Sequence, residues 1–476
     1  MQPAQLPQQD AAFSRSGSVT LAEQLAGRYA ERIAQRLLAP GARLPSVREG
    51  ARRHGVSPGT IVGAYDLLQA RGLVQARPQR GYFVRDVRHE GRLSPRVAAM
   101  PPLPVPLPVP LDATALIRSM FQAQGGRPAP GMGTLPEAWL DAGLLQRALR
   151  RVCATPESWL RYGDPAGDVG LRNALSRRLA DLGVPAPPSQ IVTTVGATHA
   201  LDLICRTLLE PGDAVLVDEP GWAVEFARLT RMGMRLLPVP RTEAGPDLAV
   251  MAALLREHAP RLYMTVSVLH NPTGASLSPA SAHQVLRLAE AHDLTIVEDD
   301  SYAWLAPPHA TRLAQLDALK RTVYVSGFSK ILTPQWRVGF VAAAPALAER
   351  LIDTKLLATL STPGPLEQAL AICLEQGSLR RHAERVTARL EAARTRTARL
   401  VREAGYRFVT PPAGLFGWVD VGADTEALAQ GLLDEGWLIA PGALFHASRR
   451  RTSLMRVNFA TAQDARFWAA LKRLRP

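Results

Sequence analysis

Apolar residues near the start of the chain follow a helical spacing. One falls at every fourth position of this stretch: Leu21, Leu25, Tyr29, Ile33 and Leu37. Residues at this spacing share one face of an α-helix, which can pack against a core. Thr20 and Glu23 form a pair that can cap the first free amides of such a helix. The pattern predicts a first helix that begins after Thr20.

Two further helices are predicted before residue 73. Ser46-Val47-Arg48-Glu49 is a second capping pattern, and it predicts a short helix through Arg53. After a turn, Ser57 is suited to cap a third helix. Pro58 then takes the first helical position, because proline lacks an amide that would be unpaired there. Gly72 ends this helix.

A basic hairpin follows the helices. Residues 73–76 and 81–84 are short strand-like runs that flank Arg77-Pro78-Gln79-Arg80. Two short helices joined by a turn, with a basic wing behind them, are typical of a helix that enters the major groove while the wing lies along phosphates. The predicted DNA contacts are Arg48, Ser57, Thr60, Arg77 and Arg80. The alternative is a three-helix protein-interaction module with a basic face.

The charge distribution favours a nucleic-acid partner. The chain has a formal net charge of +14, which by itself also fits a composition rich in arginine. Residues 14–84 contain eleven arginines and four acidic residues, so half of the excess, +7, lies in this segment. A solvated basic face is the alternative, and the local helix pattern favours DNA binding over it.

Residues 14–84 resemble the DNA-binding domain of the GntR family. The resemblance rests on these motifs: Leu44-Pro45-Ser46-Val47-Arg48, Val56-Ser57, Thr60-Ile61, Ala64-Tyr65, Leu68, Gly72-Leu73 and Gly81-Tyr82-Phe83-Val84. It implies a winged helix-turn-helix domain over residues 14–84 whose partner is a double-stranded DNA operator. Pro58 stands where the family usually has an arginine that contacts DNA, so we expect a different affinity or operator preference.

Proline dominates the next segment. Residues 85–130 lose helical periodicity, and proline alternates with apolar residues over most of residues 101–110. Alternating proline prevents strand pairing and favours a stiff, extended polyproline II path. We predict that residues 85–130 are a proline-rich linker. A binding motif for a partner domain is the alternative.

Short apolar runs alternate with helix-length segments over residues 131–476. The strand-like runs are residues 191–195, 214–217, 262–266, 295–297 and 323–325. Such alternation is typical of an α/β domain with a mostly parallel sheet. Ligands of these sheets bind at the carboxyl ends of the strands. The residues that follow each run are therefore candidates for a binding site.

A rare lysine follows the last of these runs. Lys330, in Ser326-Gly327-Phe328-Ser329-Lys330, is one of four lysines in a chain whose other cations are arginines. A desolvated lysine becomes neutral and attacks a carbonyl, whereas arginine stays charged. The sequence therefore indicates a Schiff-base lysine whose aldehyde partner is pyridoxal 5′-phosphate. A surface lysine at the end of a strand is the alternative.

Four other motifs follow strand-like runs. They are Gly196-Ala197-Thr198, which opens a helix and suits a phosphate, Trp222, Asn271-Pro272-Thr273-Gly274, and Glu298-Asp299-Asp300-Ser301-Tyr302. With Lys330 and two later arginines, they give residues 131–476 a resemblance to the fold type I aminotransferases, which depend on pyridoxal phosphate. Joined to a GntR domain, this domain gives the chain a resemblance to the MocR-type transcriptional regulators.

The resemblance assigns roles around the cofactor ring. Lys330 would form the Schiff base, and Asp299 would pair with the pyridine nitrogen and keep it protonated. Asn271 and Tyr302 would hydrogen-bond the ring oxygen. Trp222 would stack on the ring face.

The resemblance also assigns residues to the phosphate and to the carboxylate of a bound ligand. The phosphate would be held by four groups: the amides near Ala197 and Thr198, the Ser329 hydroxyl and the Arg337 guanidinium. Tyr162 would reach the partner subunit's phosphate, so a homodimer is implied. Arg456 would bind the carboxylate of an amino acid as a planar, two-pronged donor.

Each of these positions also has a simpler explanation. Asp299 fits a helix cap, Trp222 a core aromatic, Asn271-Pro272 a turn and Arg456 a surface ion pair. Their joint occurrence in this order favours the cofactor site. Gly327 departs from the family, in which a serine often precedes Phe-Ser-Lys, so one phosphate ligand is expected to be missing.

Three functions remain open. The chain is a transcriptional regulator that senses an amine or amino acid through Lys330, an aminotransferase with an appended DNA-binding domain, or a regulator whose effector is pyridoxal phosphate itself. The first is preferred. The cofactor pocket alone does not separate a regulator from an enzyme that carries out transamination.

The cysteines and the hydropathy of the chain indicate the compartment in which it works. Cys153, Cys205 and Cys373 are widely spaced, which argues against disulfides or a metal site and fits a reducing cytoplasm. The N-terminus lacks the basic and apolar pattern of a secretory signal. No apolar stretch reaches membrane-spanning length, so no membrane partner is expected.

Overall fold

The computed structural model describes residues 19–34, 38, 40–77, 80–85, 129–154 and 160–475. Its contacts divide the chain into two compact units, Met1–Gly126 and Arg127–Pro476. The predicted linker lies outside the described residues except at its two ends. None of the helices formed by the described residues combines the length and apolar character needed to cross a membrane.

The first unit consists of three helices and a hairpin. The helices are α1 (Leu21–Ala34), α2 (Val47–His54) and α3 (Pro58–Ala70), and the strands are β1 (Val74–Arg77) and β2 (Gly81–Val84). The predicted caps are present. The Thr20 amide donates to Glu23 Oε2 at 2.8 Å, and the Ser57 hydroxyl accepts from the Thr60 amide at 3.2 Å.

The hairpin differs from the prediction at its first strand. β1 begins and ends one residue later than predicted, so Arg77 is the last residue of the strand, paired with Gly81, and not part of the loop. Val74 rather than Leu73 is the buried apolar residue that aligns the strand with the core. Pro78 and Gln79 lie outside the described residues.

The core of the second unit is an eight-stranded sheet. Its strands are β3 (Ile191–Thr194), β4 (Ala214–Glu219), β5 (Arg235–Thr242), β6 (Gly245–Pro246), β7 (Leu262–Thr265), β8 (Thr295–Asp299), β9 (Thr322–Gly327) and β10 (Gly339–Ala342). They lie in the order β3-β10-β9-β8-β7-β4-β5-β6. β4, β5, β7, β8 and β9 pair in parallel, whereas β10 is antiparallel to both of its neighbours. The mostly parallel α/β fold is thereby confirmed.

Helices cover both faces of this sheet. They are α4 (Ala142–Cys153), α5 (Val169–Asp181), α6 (Ala197–Leu208), α7 (Ala223–Arg231), α8 (Leu248–His258), α9 (Pro279–Ala291), α10 (Leu313–Asp317), α11 (Pro345–Thr359), α12 (Gly364–Glu375) and α13 (Ser378–Glu403). Val215 and Val217 of β4 pack into one apolar cluster, and Leu216 between them packs into another. The strands are therefore apolar on both faces, as expected for a sheet between two helical layers.

A smaller antiparallel sheet completes the unit. It contains β11 (Arg407–Phe408), β12 (Phe416–Asp420), β13 (Ala440–Pro441) and β14 (Leu454–Asn458), with α14 (Thr425–Asp434) and α15 (Ala465–Leu474) nearby in sequence. β14 is the central strand that pairs with both β12 and β13. This sheet holds Arg456 in a buried position.

Candidate functional site

Glycines bring the start of α6 against the start of β10. Gly196 lies directly before α6, at the N-cap position, with a φ of +79°. No side-chain hydrogen bond caps the start of the helix there. A Cβ at Gly339 would lie 2.6 Å from the Ala197 amide nitrogen, and one at Gly196 would lie 2.6 Å from Arg337 Nη2. These close approaches place the first amides of α6 beside the Arg337 guanidinium, a combination suited to a phosphate.

Arg337 itself adopts an unusual backbone conformation. Its φ is +49°, directly after the short helix Pro334–Trp336. Its Nη2 donates to the carbonyl oxygen of Val195 at 3.0 Å, and the side chain is otherwise exposed. The guanidinium is thus held at the helix start while other donors stay available for an anion.

Asp299 ends β8, next to the strand that leads to Lys330. Its Oδ1 accepts hydrogen bonds from the Ser301 amide at 2.9 Å and the Ser301 hydroxyl at 2.6 Å. Burial raises the pKa of Asp299 to about 6, although the Ser301 hydrogen bonds lower it. A carboxylate that is partly desolvated favours a cationic partner such as a protonated ring nitrogen.

Lys330 follows β9 with its amine in a desolvated position. The Nζ donates to the carbonyl oxygen of Gly133 at 2.8 Å. Burial lowers its pKa to about 8, the charges of Arg456 and Arg337 lower it further, and Asp299 raises it. The neutral fraction near neutral pH is therefore far larger than for an ordinary lysine, and attack on an aldehyde requires the neutral amine.

Arg456 is a buried cation without an acidic partner. Its Nη1 donates to Asn271 Oδ1 at 2.9 Å and its Nη2 to the carbonyl oxygen of Gly131 at 2.7 Å. The guanidinium lies 4.4 Å from the ring centre of Phe416 and 5.0 Å from that of Phe445. Burial lowers its pKa to about 10. Its Nε makes no hydrogen bond, and no carboxylate among the described residues pairs with it.

The charges of both Asp299 and Arg456 act on Tyr302. Its side chain is buried, and its ring packs edge-on against Phe416 with ring centres 5.7 Å apart. Burial and the charge of Asp299 raise its pKa, whereas Arg456 and a hydrogen bond with Asn271 lower it. The structure therefore brings Tyr302, Asn271 and Arg456 into one polar cluster.

Trp222 and Asp299 line the same pocket. Trp222 lies three residues after β4 and caps α7. Its neighbours in the pocket wall include Asp218, Phe226 and His270. An aromatic side chain that shares a pocket with the carboxylate is placed to stack on a ring bound there.

Asp218 is a pocket residue that the sequence did not single out. It is buried, and it accepts hydrogen bonds from the hydroxyls of Tyr263 at 2.6 Å and Thr265 at 2.7 Å and from Arg241 Nη1 at 2.9 Å. His270 lies 3.6 Å away. Burial lowers the pKa of His270 well below its usual value, and the charge of Arg241 lowers it further. With the Val266 amide, which donates at 3.3 Å, Asp218 accepts from four donors and so fixes part of the pocket wall.

Two predicted residues lie outside this cluster in the single chain. Tyr162 is 89% exposed, so its role toward the partner subunit's phosphate stays a prediction. Ser329 is half-buried beside Lys330, and its role as a phosphate ligand also stays a prediction.

The residues present fit pyridoxal phosphate. The uncapped helix start and Arg337 provide an anion site, Asp299 a carboxylate, Trp222 an aromatic face and Lys330 a partly neutral amine. When bound, the cofactor supplies an aldehyde and an electron-withdrawing ring. The unpaired Nε of Arg456 leaves capacity for the carboxylate of a further ligand.

The predicted DNA contacts lie on the surface of the first unit. Arg48 on α2, Arg77 and Arg80 are exposed, and Ser57 caps α3 beside Thr60. The Arg77 guanidinium lies 4.7 Å from the ring centre of Phe83, which orients it along the hairpin. Arg43 is a candidate that the sequence missed. Its guanidinium lies next to Gly81 of the hairpin, where the lack of a side chain admits it.

Comparison with known proteins identifies a family in each unit. The family of bacterial regulatory proteins, gntR family, matches residues 21–84, and aminotransferase class I and II matches residues 131–474. The uncharacterized HTH-type transcriptional regulator YdcR of Escherichia coli (strain K12) is 30% identical over 469 residues, which cover 95% of this chain and 97% of YdcR.

Aminotransferases resemble the second unit. The 2-aminoadipate transaminase of Thermus thermophilus is 29% identical over 361 residues, 74% of this chain and 88% of that enzyme. The crystal structure of LysN, alpha-aminoadipate aminotransferase from Thermus thermophilus, complexed with N-(5′-phosphopyridoxyl)-L-leucine, is 25% identical with a TM-score of 0.69, covering 75% of this chain and 95% of LysN. The chain therefore belongs to the aminotransferase class I and II family and, with its GntR DNA-binding domain, to the pyridoxal phosphate-dependent MocR-type transcriptional regulators.

Proposed function

We propose that this regulator senses an amine or an amino acid at Lys330. The observation that carries the proposal is the position of Lys330 Nζ, 2.8 Å from the carbonyl oxygen of Gly133 in a desolvated site. In this proposal Lys330 would hold the cofactor through its amine, and the bound cofactor would supply an aldehyde for which an incoming amine competes with the lysine. Arg456 binds the carboxylate when the ligand is an amino acid.

The same two ligand-binding groups contact one short segment. Lys330 donates to Gly133, and Arg456 donates to Gly131. The Gly131 amide in turn donates to the carbonyl oxygen of Leu438 at 3.1 Å. A bound ligand replaces Gly131 and Gly133 as partner of these two groups and so changes the contacts of residues 129–134. Because this segment directly follows the linker, ligand binding alters the segment through which the DNA-binding domain is attached.

The remaining site assignments support the same proposal. Asp299, Asn271, Tyr302 and Trp222 hold the ring, and the start of α6 holds the phosphate with Ser329 and Arg337. Tyr162, which is exposed in the single chain, completes the site of a partner subunit in a homodimer. A dimer places two recognition helices on paired operator half-sites, and an operator-bound regulator works in the cytoplasm.

DNA binding in the presence and absence of ligand tests the proposal. Footprinting of the region upstream of the protein's own coding sequence is expected to show paired half-sites. Amines and amino acids that change the visible absorbance of the cofactor-loaded dimer are expected to change its operator affinity. Ligands that change the absorbance and leave operator affinity unchanged would contradict ligand sensing through Lys330.

A second candidate function is transamination. It is favoured by the complete polar cluster around Lys330 and Arg456 and by the likeness to a protein named 2-aminoadipate transaminase. Multiple turnovers with a panel of amino acids and keto acids would establish it. A third candidate, in which pyridoxal phosphate itself is the effector, predicts that adding the cofactor to the cofactor-free dimer alone changes operator affinity.

A further inference from the structure

The exposed face of α3 is apolar at its start. Gly59, Val62, Asp66 and Gln69 are exposed, and their spacing of three and four residues places them on one side of the helix. Val62 is 38% exposed, whereas the adjacent Ile61 is fully buried. α3 contains neither lysine nor arginine.

The first turn of α3 offers few free polar groups. The hydroxyls of Ser57 and Thr60 lie 2.9 Å apart and bond to each other, and the Ser57 hydroxyl also accepts from the Thr60 amide. Pro58 has no amide hydrogen. A Cβ at Gly59 would meet only the Ser57 hydroxyl within 4 Å, at 3.8 Å. The apolar groups exposed near the start of α3 are therefore the Pro58 ring and the Val62 side chain, beside the half-buried Thr60.

Positive charge surrounds this apolar face without entering it. Exposed arginines lie on α2, at the end of α3 and on the hairpin: Arg48, Arg52, Arg53, Arg71, Arg77 and Arg80. Arginines in these positions suit the phosphates on either side of a groove, contacts that fix the position of a protein on DNA. The charge pattern fits duplex DNA as the occupant, with α3 in the major groove.

We propose that α3 recognises thymine through its C5-methyl group, with Val62 as the main contact and Thr60 as a second. This inference rests on the proposed operator binding. Thymine is the base that presents an apolar group in the major groove, whereas guanine presents two acceptors that arginine or lysine usually binds. α3 lacks those donors, and Asp66 one turn later adds only acceptors. The base that Val62 meets is therefore expected to be a thymine.

Uracil substitution tests this inference directly. The footprinted fragment is amplified once with dTTP and once with dUTP, which removes every C5-methyl group and keeps the base pairing. Titration of the cofactor-loaded full-length dimer is expected to show about four-fold weaker binding for each C5-methyl group that no longer touches α3, the equivalent of one buried methylene. A fragment without the operator is expected to bind equally in both forms.

Two variants assign the effect to Val62. In Val62→Ser, binding to thymine DNA is expected to weaken, and uracil is expected to have a smaller effect than in the wild type, because only the Thr60 contact remains. Serine and valine have similar helix propensities and the position is exposed, so the variant is expected to fold. Arg80→Ala, the control, is expected to weaken binding to both fragments equally and to lower the salt dependence.

The outcomes separate this inference from the proposed function. A wild-type dimer that protects its operator and binds both fragments with equal affinity overturns thymine recognition and leaves operator binding intact. An equal effect of uracil on the wild type and on Val62→Ser overturns the role of Val62. The absence of any specific complex with upstream DNA overturns operator binding and thymine recognition together.

Discussion

The Nζ of Lys330 donates a hydrogen bond to the carbonyl oxygen of Gly133, 2.8 Å away and 197 residues earlier in the chain. Two residues before Gly133, the Gly131 carbonyl oxygen accepts from the buried Arg456. The Lys330 amine and the Arg456 guanidinium therefore both contact the first described segment after the predicted linker. In the proposed function, this contact is the route from the ligand site to the linker.

Lys330→Ala is expected to abolish covalent retention of pyridoxal phosphate. Without the amine no Schiff base forms, so the visible absorbance of the loaded protein is lost, and borohydride treatment leaves no pyridoxyl adduct detectable by mass spectrometry. Lys320→Ala, at an exposed position, is the matched control and keeps both signals. An adduct on any residue other than Lys330 in the wild type would show the assignment to be wrong. The first unit of Lys330→Ala is expected to remain folded.

The rate of cofactor incorporation is expected to depend on pH around the pKa of Lys330. Burial lowers that pKa to about 8, so the amine is mostly protonated below pH 8 and mostly neutral above it. The rate therefore rises with a midpoint at about pH 8 and levels at higher pH. Rapid mixing of cofactor-free protein with pyridoxal phosphate across the pH range measures it.

The same experiment has an internal check. Because the charge of Arg456 lowers the pKa of Lys330, Arg456→Gln is expected to move the midpoint to higher pH. A wild-type rate that keeps rising to the pKa of an ordinary lysine, 10.5, would contradict a desolvated amine.

Arg456→Gln is expected to weaken amino acid binding selectively. Charged hydrogen bonds to a carboxylate contribute about 2 kcal/mol, which corresponds to about 30-fold in affinity. An amine of the same side chain that lacks the carboxylate is expected to bind with little change. Absorbance titrations of both ligand types measure the difference. Arg466→Gln, in which an 83% exposed side chain is replaced, serves as the control, and equal losses for both ligand types would exclude carboxylate recognition by Arg456.

Gly339→Ala is expected to weaken the phosphate site. The new Cβ would lie 2.6 Å from the Ala197 amide nitrogen and 2.6 Å from the carbonyl carbon of Gly196, so the start of α6 must move away from β10. Overpacking of this size costs about 1–3 kcal/mol, and we expect cofactor binding to be at least about five-fold weaker. Equilibrium dialysis with pyridoxal phosphate measures it. Gly364→Ala meets no atom within 4 Å and should behave as wild type.

The sequence predicted the ends of the strands well because local signals mark them. Asp299, Lys330 and Ala197 each follow an apolar run, and the structure places all three at the same edge of the sheet. β5 was not predicted, since Pro238 and Pro240 interrupt its pattern. One side of β5 pairs with β4 from Arg235 to Pro240, and the other side pairs with β6 only at Arg241 and Thr242. Pro238 and Pro240 therefore lie where β5 lacks a described partner strand on its second side, which is where a strand tolerates proline.

Long-range contacts explain the site residues that sequence reasoning missed. Asp218 is one of two acidic residues at the end of an otherwise apolar strand. Its role depends on Tyr263 and Thr265 of β7, which the parallel pairing of β4 with β7 brings beside it. Arg43 lies against Gly81 through the fold of the hairpin. Neither relationship leaves a local pattern in the sequence.

Lys355 is a second buried lysine, and it predicts a pH dependence of stability. Its Nζ donates to the hydroxyls of Thr362 at 3.0 Å and Thr193 at 3.3 Å. Burial lowers its pKa to about 8, although the charge of Glu367 raises it. The folded-state pKa therefore lies below the usual 10.5, and the unfolded chain binds more protons between these two pH values. The free energy of unfolding contributed by this group rises with pH across that window.

Lys355→Met removes this contribution. Relative to the variant, the wild type is expected to gain up to about 3 kcal/mol of unfolding free energy as the pH rises from about 8 to about 10.5. Below pH 8 the difference between the two proteins is expected to stay constant, because the lysine is then protonated in both the folded and the unfolded chain. Denaturant unfolding at several pH values measures this difference, and Lys320→Met, at an exposed position, should show no such trend. If the difference in unfolding free energy between the wild type and Lys355→Met stays constant up to pH 10.5, Lys355 is solvated, because only a desolvated amine has a pKa this low.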